Sequence, residues 1–138
     1  MTVYDEIMVH HDYVWARVPF LAPMAAAIAR CRPNAADVAR RLRGLGSLLL
    51  GHLGQEERLL AGDAAAAVSL IGSGMMGDHL MIATALDEIR DAVARWPVSS
   101  EQERRLGSEL ALLDEHLQAQ IALEERFVAT LLGMLDHY

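Results

Sequence analysis

Two short stretches carry the residues best suited to chemistry. Gly51-His52-Leu53-Gly54-Gln55-Glu56-Glu57-Arg58 and Gln120-Ile121-Ala122-Leu123-Glu124-Glu125-Arg126 both end in Glu-Glu-Arg, and both are followed by apolar residues. On a helix, His52 and Glu56 stand about 40° apart around the axis and roughly 6 Å apart along it, so both side chains can address one ion. Deprotonated glutamate and neutral histidine are the forms in which these groups act as ligands. The chemistry indicated is therefore that of a bound metal.

The surrounding pattern puts these residues on buried faces. Steps of three and four along the second helical segment pick out Val38, Leu42, Leu45, Leu49, His52, Glu56 and Leu59. The fourth segment gives Leu106, Leu110, Leu113, Leu117, Gln120, Glu124, Phe127 and Leu131. The third gives Met75, His79, Ile82, Leu86, Ile89 and Val93, and the first gives Tyr4, Ile7, His11, Val14 and Val18. Each helix thus aims histidine, glutamine or glutamate into the middle of an apolar stripe. Buried polar groups must find partners, and a cation is a direct one. The halves also repeat: His52 and Glu56 lie 41 and 45 residues after His11, as Gln120 and Glu124 do after His79.

Four segments are predicted. The first runs from about Thr2 to Ile28, with Pro19 and Pro23 kinking or interrupting it, and stops near Arg32-Pro33. The second starts at an N-cap, Asn34, and runs to about Leu60, before Gly62-Asp63. The third follows Gly72-Ser73-Gly74 and ends at Trp96-Pro97. The fourth opens on a capping box, Ser100 with Glu103, and continues to about Leu135. The expected architecture is all-α, an antiparallel up-down-up-down four-helix bundle, built as a single domain over 1-138.

The sequence resembles the hemerythrin-like family of HHE cation-binding domains, whose pattern is His on helix one, HxxxE on helix two, His on helix three and HxxxE on helix four. The resemblance runs from His11 to Phe127. It implies two irons, bridged by carboxylates and an oxygen species, with an open position for dioxygen, peroxide or nitric oxide. The metal-ligand set it implies is His11, His52, Glu56, His79 and Glu124, with Gln120 or His116 on helix four. There the chain departs from the family: Gln120 stands at the position of the family's histidine, and a histidine lies one turn earlier at His116. His116 and Glu124 are about 12 Å apart along the axis, too far to grip one ion closely. Glutamine is a weak neutral oxygen ligand, so it would leave one iron loosely held or open, which favours reaction over carriage. The donor set also suits manganese or zinc.

Other residues have plainer readings. His11 fits its stripe better than His10, whose stripe next meets Arg17, and His137 is expected to do nothing. Glu57, Glu125, Arg58 and Arg126 read as solvated or inter-helix charges, with an option on orienting ligands. Tyr13 and Trp15 read as packing before channel lining, and Gly44, Gly46, Gly51 and Gly54 as places of close helix approach.

Several classes are disfavoured. A ferritin-like centre needs Glu three residues before His on two helices, but Leu49, Met76 and Leu113 stand there. A heme bundle leaves Glu56 and Glu124 without a role. A structural bundle with a degenerate site remains as the competing reading. The net charge of −7 offers no basic track for nucleic acid, and the absence of lysine removes Schiff-base chemistry. No segment reads as membrane-spanning. The acidic start and lone Cys31 lead us to expect a cytoplasmic protein. A homodimer, or an unknown protein partner if the chain is a sensor, completes the expectations.

Overall fold

A computed structural model describes residues 2–60, 75–97 and 100–135 of the chain. Four helices account for nearly all of it: α1 Val3–Ile28, α2 Ala35–Leu60, α3 Met75–Ala94 and α4 Glu101–Leu135. There is no strand among the described residues. Consecutive helices pack on one another, and α4 closes the ring against α1, which is the antiparallel four-helix bundle.

The starts of α1 and α4 are fixed by side chains that satisfy free backbone donors. Thr2 and Asp5 form a capping box at α1, each side chain accepting the other's backbone N–H at 3.1 Å. At α4 the Ser100 hydroxyl accepts from the Glu103 backbone N–H at 3.1 Å. The Glu103 carboxylate is buried and receives Arg32, whose guanidinium also lies over the Trp96 ring. That cluster ties the α1–α2 turn to the start of α4.

The stripes are buried as the periodicity predicts, from Val38 to Glu56 on α2, from Leu106 to Glu124 on α4, from His79 to Val93 on α3 and from Ile7 to Val18 on α1. Tyr4, Leu59, Met75 and Leu131 fall outside the described side chains, as do Gly62-Asp63, Gly72-Ser73-Gly74 and His137. Beyond Glu124 the buried position on α4 is Val128, and Phe127 is only half-buried. A step of four suits a period of 3.6 better there than the step of three.

Two expectations need correction. α1 is one helix through Pro19 and Pro23, not an interrupted one. Both prolines face solvent, where the carbonyls they leave unpaired can be hydrated, while Leu21, Ala22, Ala25 and Ile28 hold the same helix to the core. Of the four glycines in α2, only Gly46 is closely approached: a Cβ there would meet Val18 Cγ1 at 3.4 Å, whereas Gly44, Gly51 and Gly54 have open space.

The α4 register yields a stability prediction. Leu110→Ala, at a buried position, is expected to cost about 2–5 kcal/mol in chemical denaturation. Leu112→Ala, at an exposed one, should change stability by no more than about 0.5 kcal/mol. Equal effects would contradict the register.

Candidate metal centre

The polar exceptions on the four stripes meet at the end of the bundle where α2 ends and α3 begins. His11, His52, Glu56, His79, Gln120 and Glu124 are all buried, with His11 and Glu124 fully so. Their arrangement follows from helix direction. In an antiparallel bundle the early turns of α1 and α3 lie beside the late turns of α2 and α4, so residues distant in sequence share one layer.

Glu56 and Glu124 stand at the centre, Glu56 reaching imidazoles from three helices and Glu124 from two. His11 Nε2 lies 3.2 Å from Glu124 Oε1 and 3.5 Å from Glu56 Oε2. His79 Nε2 lies 3.0 Å from Glu56 Oε1 and 3.0 Å from Glu124 Oε2. The two oxygens of each carboxylate therefore face different histidines. His52 Nε2 packs closely on Glu56 Oε1, one turn away on α2. On α4 the Gln120 amide donates to Glu124 Oε1 at 3.1 Å, the same one-turn relation with an amide in place of an imidazole.

Carboxylates hold the outer nitrogens of two of the rings. His11 Nδ1 lies 3.2 Å from Glu57 Oε1, which also accepts the Trp15 indole N–H at 2.7 Å. His52 Nδ1 lies 3.1 Å from Asp78 Oδ2. Such contacts fix the tautomer that turns Nε2 inward. The sequence reading allowed this role to Glu57 but passed over Asp78. Its one signal was an acid immediately before a stripe histidine, in the first turn of α3, where an acid also favours the helix dipole.

Protonation follows from this crowding. Burial presses His11 and His79 toward the neutral form, but hydrogen bonds to Glu124 and then Glu56 outweigh it, and both pKa values are raised to about 9. His52 is pulled the same way: burial again opposes protonation, and Glu56 overcomes it. Burial would raise Glu56 too, but hydrogen bonds from His11, His52 and His79 hold it well below the usual carboxylate range. Glu124 stays above that range through burial and the neighbouring Glu56.

The donor set fits metal ions. His52, Glu56 and His79 offer ligand atoms within 4.8 Å of one another, and so do His11, Glu56 and Glu124. Glu56 belongs to both triads. Several inward atoms lack a hydrogen bond of acceptable geometry despite their burial: His52 Nε2, Glu56 Oε2, Glu124 Oε2 and Gln120 Oε1. Buried polar atoms left this way are costly unless something else pairs with them. The structure does not bring every candidate together. His116 is half-buried outside this layer, with its Nδ1 against His10 Nδ1 and its ring stacked on Tyr13.

With this geometry in hand, comparison with known proteins places the chain. The hemerythrin HHE cation binding domain matches residues 2–132, and the chain belongs to that family. No curated protein and no solved structure gives a significant match. The fold and the buried His/Glu groups agree with a cation-binding bundle. No described helix is long and apolar enough to cross a membrane.

The shifted histidines give the metal-free protein a pH signature. A folded pKa raised above the ordinary 6.5 contributes stability that is complete below pH 6.5 and lost as pH rises through about 9. Urea midpoints of chelator-treated protein should therefore fall between pH 6.5 and 9. Midpoints that are flat or rising across that window would contradict the carboxylate–imidazole contacts.

Proposed function

We propose that this chain is a non-heme di-iron protein that binds a small oxidant, dioxygen, peroxide or nitric oxide, and reacts with it. The observation that carries this reading is the sharing of Glu56 by two ligand triads, with Glu124 likewise divided between His11 and His79. One ion would not need two triads; two neighbouring ions would need shared carboxylates to offset their charge. His52, Glu56 and His79 would hold one iron, and His11, Glu56 and Glu124 the other. Iron in such a pair supplies one-electron redox steps and a Lewis-acid position for the small ligand.

The remaining roles belong to the protein. Once the inner nitrogens of His11 and His52 give up their protons, Glu57 and Asp78 would keep the remaining ones on the outer nitrogens, so that the inner lone pairs face the metal. Loading must displace the protons that Glu56 and Glu124 stabilise on the imidazoles, so metal affinity rises with pH. One turn further into the bundle, Val14, Leu49, Ile82 and Leu117 form an apolar layer that shuts water out from that side. Gln120 is the feature that favours reaction over reversible carriage. Its amide hydrogen-bonds Glu124 where the family places an imidazole, so that position offers at best a weak oxygen ligand beside Glu124.

Elemental analysis with visible spectroscopy before and after peroxide addition tests the proposal. Wild type is expected to hold about two irons per chain, with an absorption band that peroxide alters. Glu56→Ala, which breaks both triads, should lose most of that iron. A chain that takes up no iron, or a Glu56→Ala chain that keeps it, would overturn the reading. Zinc or manganese at the same stoichiometry would preserve the centre and discard the oxidant chemistry. Gln120→His is expected to slow iron loss to a chelator by about tenfold or more; no change would remove Gln120 from the ligand layer.

A further inference from the structure

A second histidine pair lies outside the buried layer. His10 of α1 and His116 of α4 bring their Nδ1 atoms to 2.9 Å across the seam between the two helices, with the rings inclined at 66°. Both are half-buried, so the pair is reachable from solvent. Neither ring is held by a carboxylate among the described residues, in contrast to His11 and His52. His116 is held by Tyr13, stacked on it at 3.7 Å and 13°, and the His10 ring meets His116 edge-on.

We propose that His10 and His116 form a separate surface site for one divalent transition-metal ion of the zinc or copper class. Two nitrogens whose lone pairs converge on one proton can converge on one cation. Two ligands about 2.0–2.1 Å from a tetrahedral ion stand about 3.3 Å apart, so the hydrogen-bonded nitrogens, 2.9 Å apart, need separate by only a few tenths of an ångström to exchange the shared proton for the ion. Imidazole suits these later metals. Glu6 lies one turn before His10 on α1, and both line a concavity of about 320 Å³ with Val9, Leu123 and Arg126. That carboxylate is near enough to His10 to act on its charge, and water would complete the shell. The site is distinct from the buried centre, whose His11 turns the other way and spends both ring nitrogens on Glu56, Glu57 and Glu124.

Titration of Zn²⁺ into tag-free, iron-treated full-length protein tests this, with iron content read on the same samples. Wild type is expected to bind one Zn²⁺ that His116→Phe and His10→Gln each lose or bind at least about tenfold more weakly. Iron content and the helical circular dichroism of both variants should match wild type. His116→Phe keeps an aromatic ring for Tyr13 to stack on, so a folding defect is not expected, and Glu6→Gln should weaken Zn²⁺ binding by a smaller factor. The readout is the number of Zn²⁺ equivalents lost on substitution, so it stands whether or not the buried centre takes iron. No Zn²⁺ bound by wild type beyond the amount both variants bind would overturn the proposal.

Discussion

The structure turns on two glutamates buried in one layer of a helical core. Glu56 and Glu124 are almost wholly withdrawn from solvent, with carboxylate oxygens that face common partners. An unpaired buried carboxylate is expensive, and two side by side are worse, because each opposes ionisation of the other. Imidazoles answer that cost in the metal-free protein: His11 and His79 carry protons between the two carboxylates, and His52 adds one against Glu56. Cations can take the place of those protons without moving a helix, since the same inner atoms serve both. Supplying these groups fixes the register of all four helices, because a slip of one residue would carry a charged group into the leucine layers or out to solvent.

Below that layer the bundle is held in a different way. From Leu49, Ile82, Val14 and Leu117 down to Ile28, Val38 and Trp96 the interior is mostly aliphatic, with Trp96 and the Arg32-bound Glu103 at its far end, and the other polar links move to the seams. Arg17 meets Glu109 between α1 and α4 at 2.5 and 3.2 Å, and Arg90 meets Asp114 between α3 and α4 at 2.8 Å. Such part-exposed pairs contribute little each. The hydrophobic end supplies stability, and the polar end spends some of it on holding groups that water would otherwise solvate.

Most of the fold was legible because an apolar stripe with polar exceptions has one simple explanation in a helix. The positions of His52, Glu56, His79 and Glu124 relative to their stripes needed no knowledge of neighbours, and His11 was separable from His10 by the same rule. What was not legible depended on neighbours. Whether Pro19 breaks α1 depends on which side of the helix faces water. Whether Gly44 marks a close approach depends on what lies opposite, and no described atom comes within 4 Å of where its Cβ would stand. Asp78 and Glu57 are one residue off their stripes, where sequence shows only a charge, and the bundle brings each to the outer nitrogen of a histidine on another helix. His116 was attractive as a ligand by residue type alone, and its height along α4 sets it against His10 instead.

The internal repeat explains that last displacement. An offset of 68 residues maps His11 on His79, His52 on Gln120 and Glu56 on Glu124. The geometry respects it: His11 and His79 each touch both glutamates, and His52 and Gln120 each contact the glutamate one turn on. The same offset maps His10 on Asp78. In one half, Asp78 orients the outer nitrogen of His52. In the other half the corresponding residue is Gln120, which has no ring nitrogen to orient, so an acid at position 10 would have no partner there. A histidine stands in its place and turns to His116. The half with one imidazole fewer in the core layer thus has a pair of imidazoles just outside it.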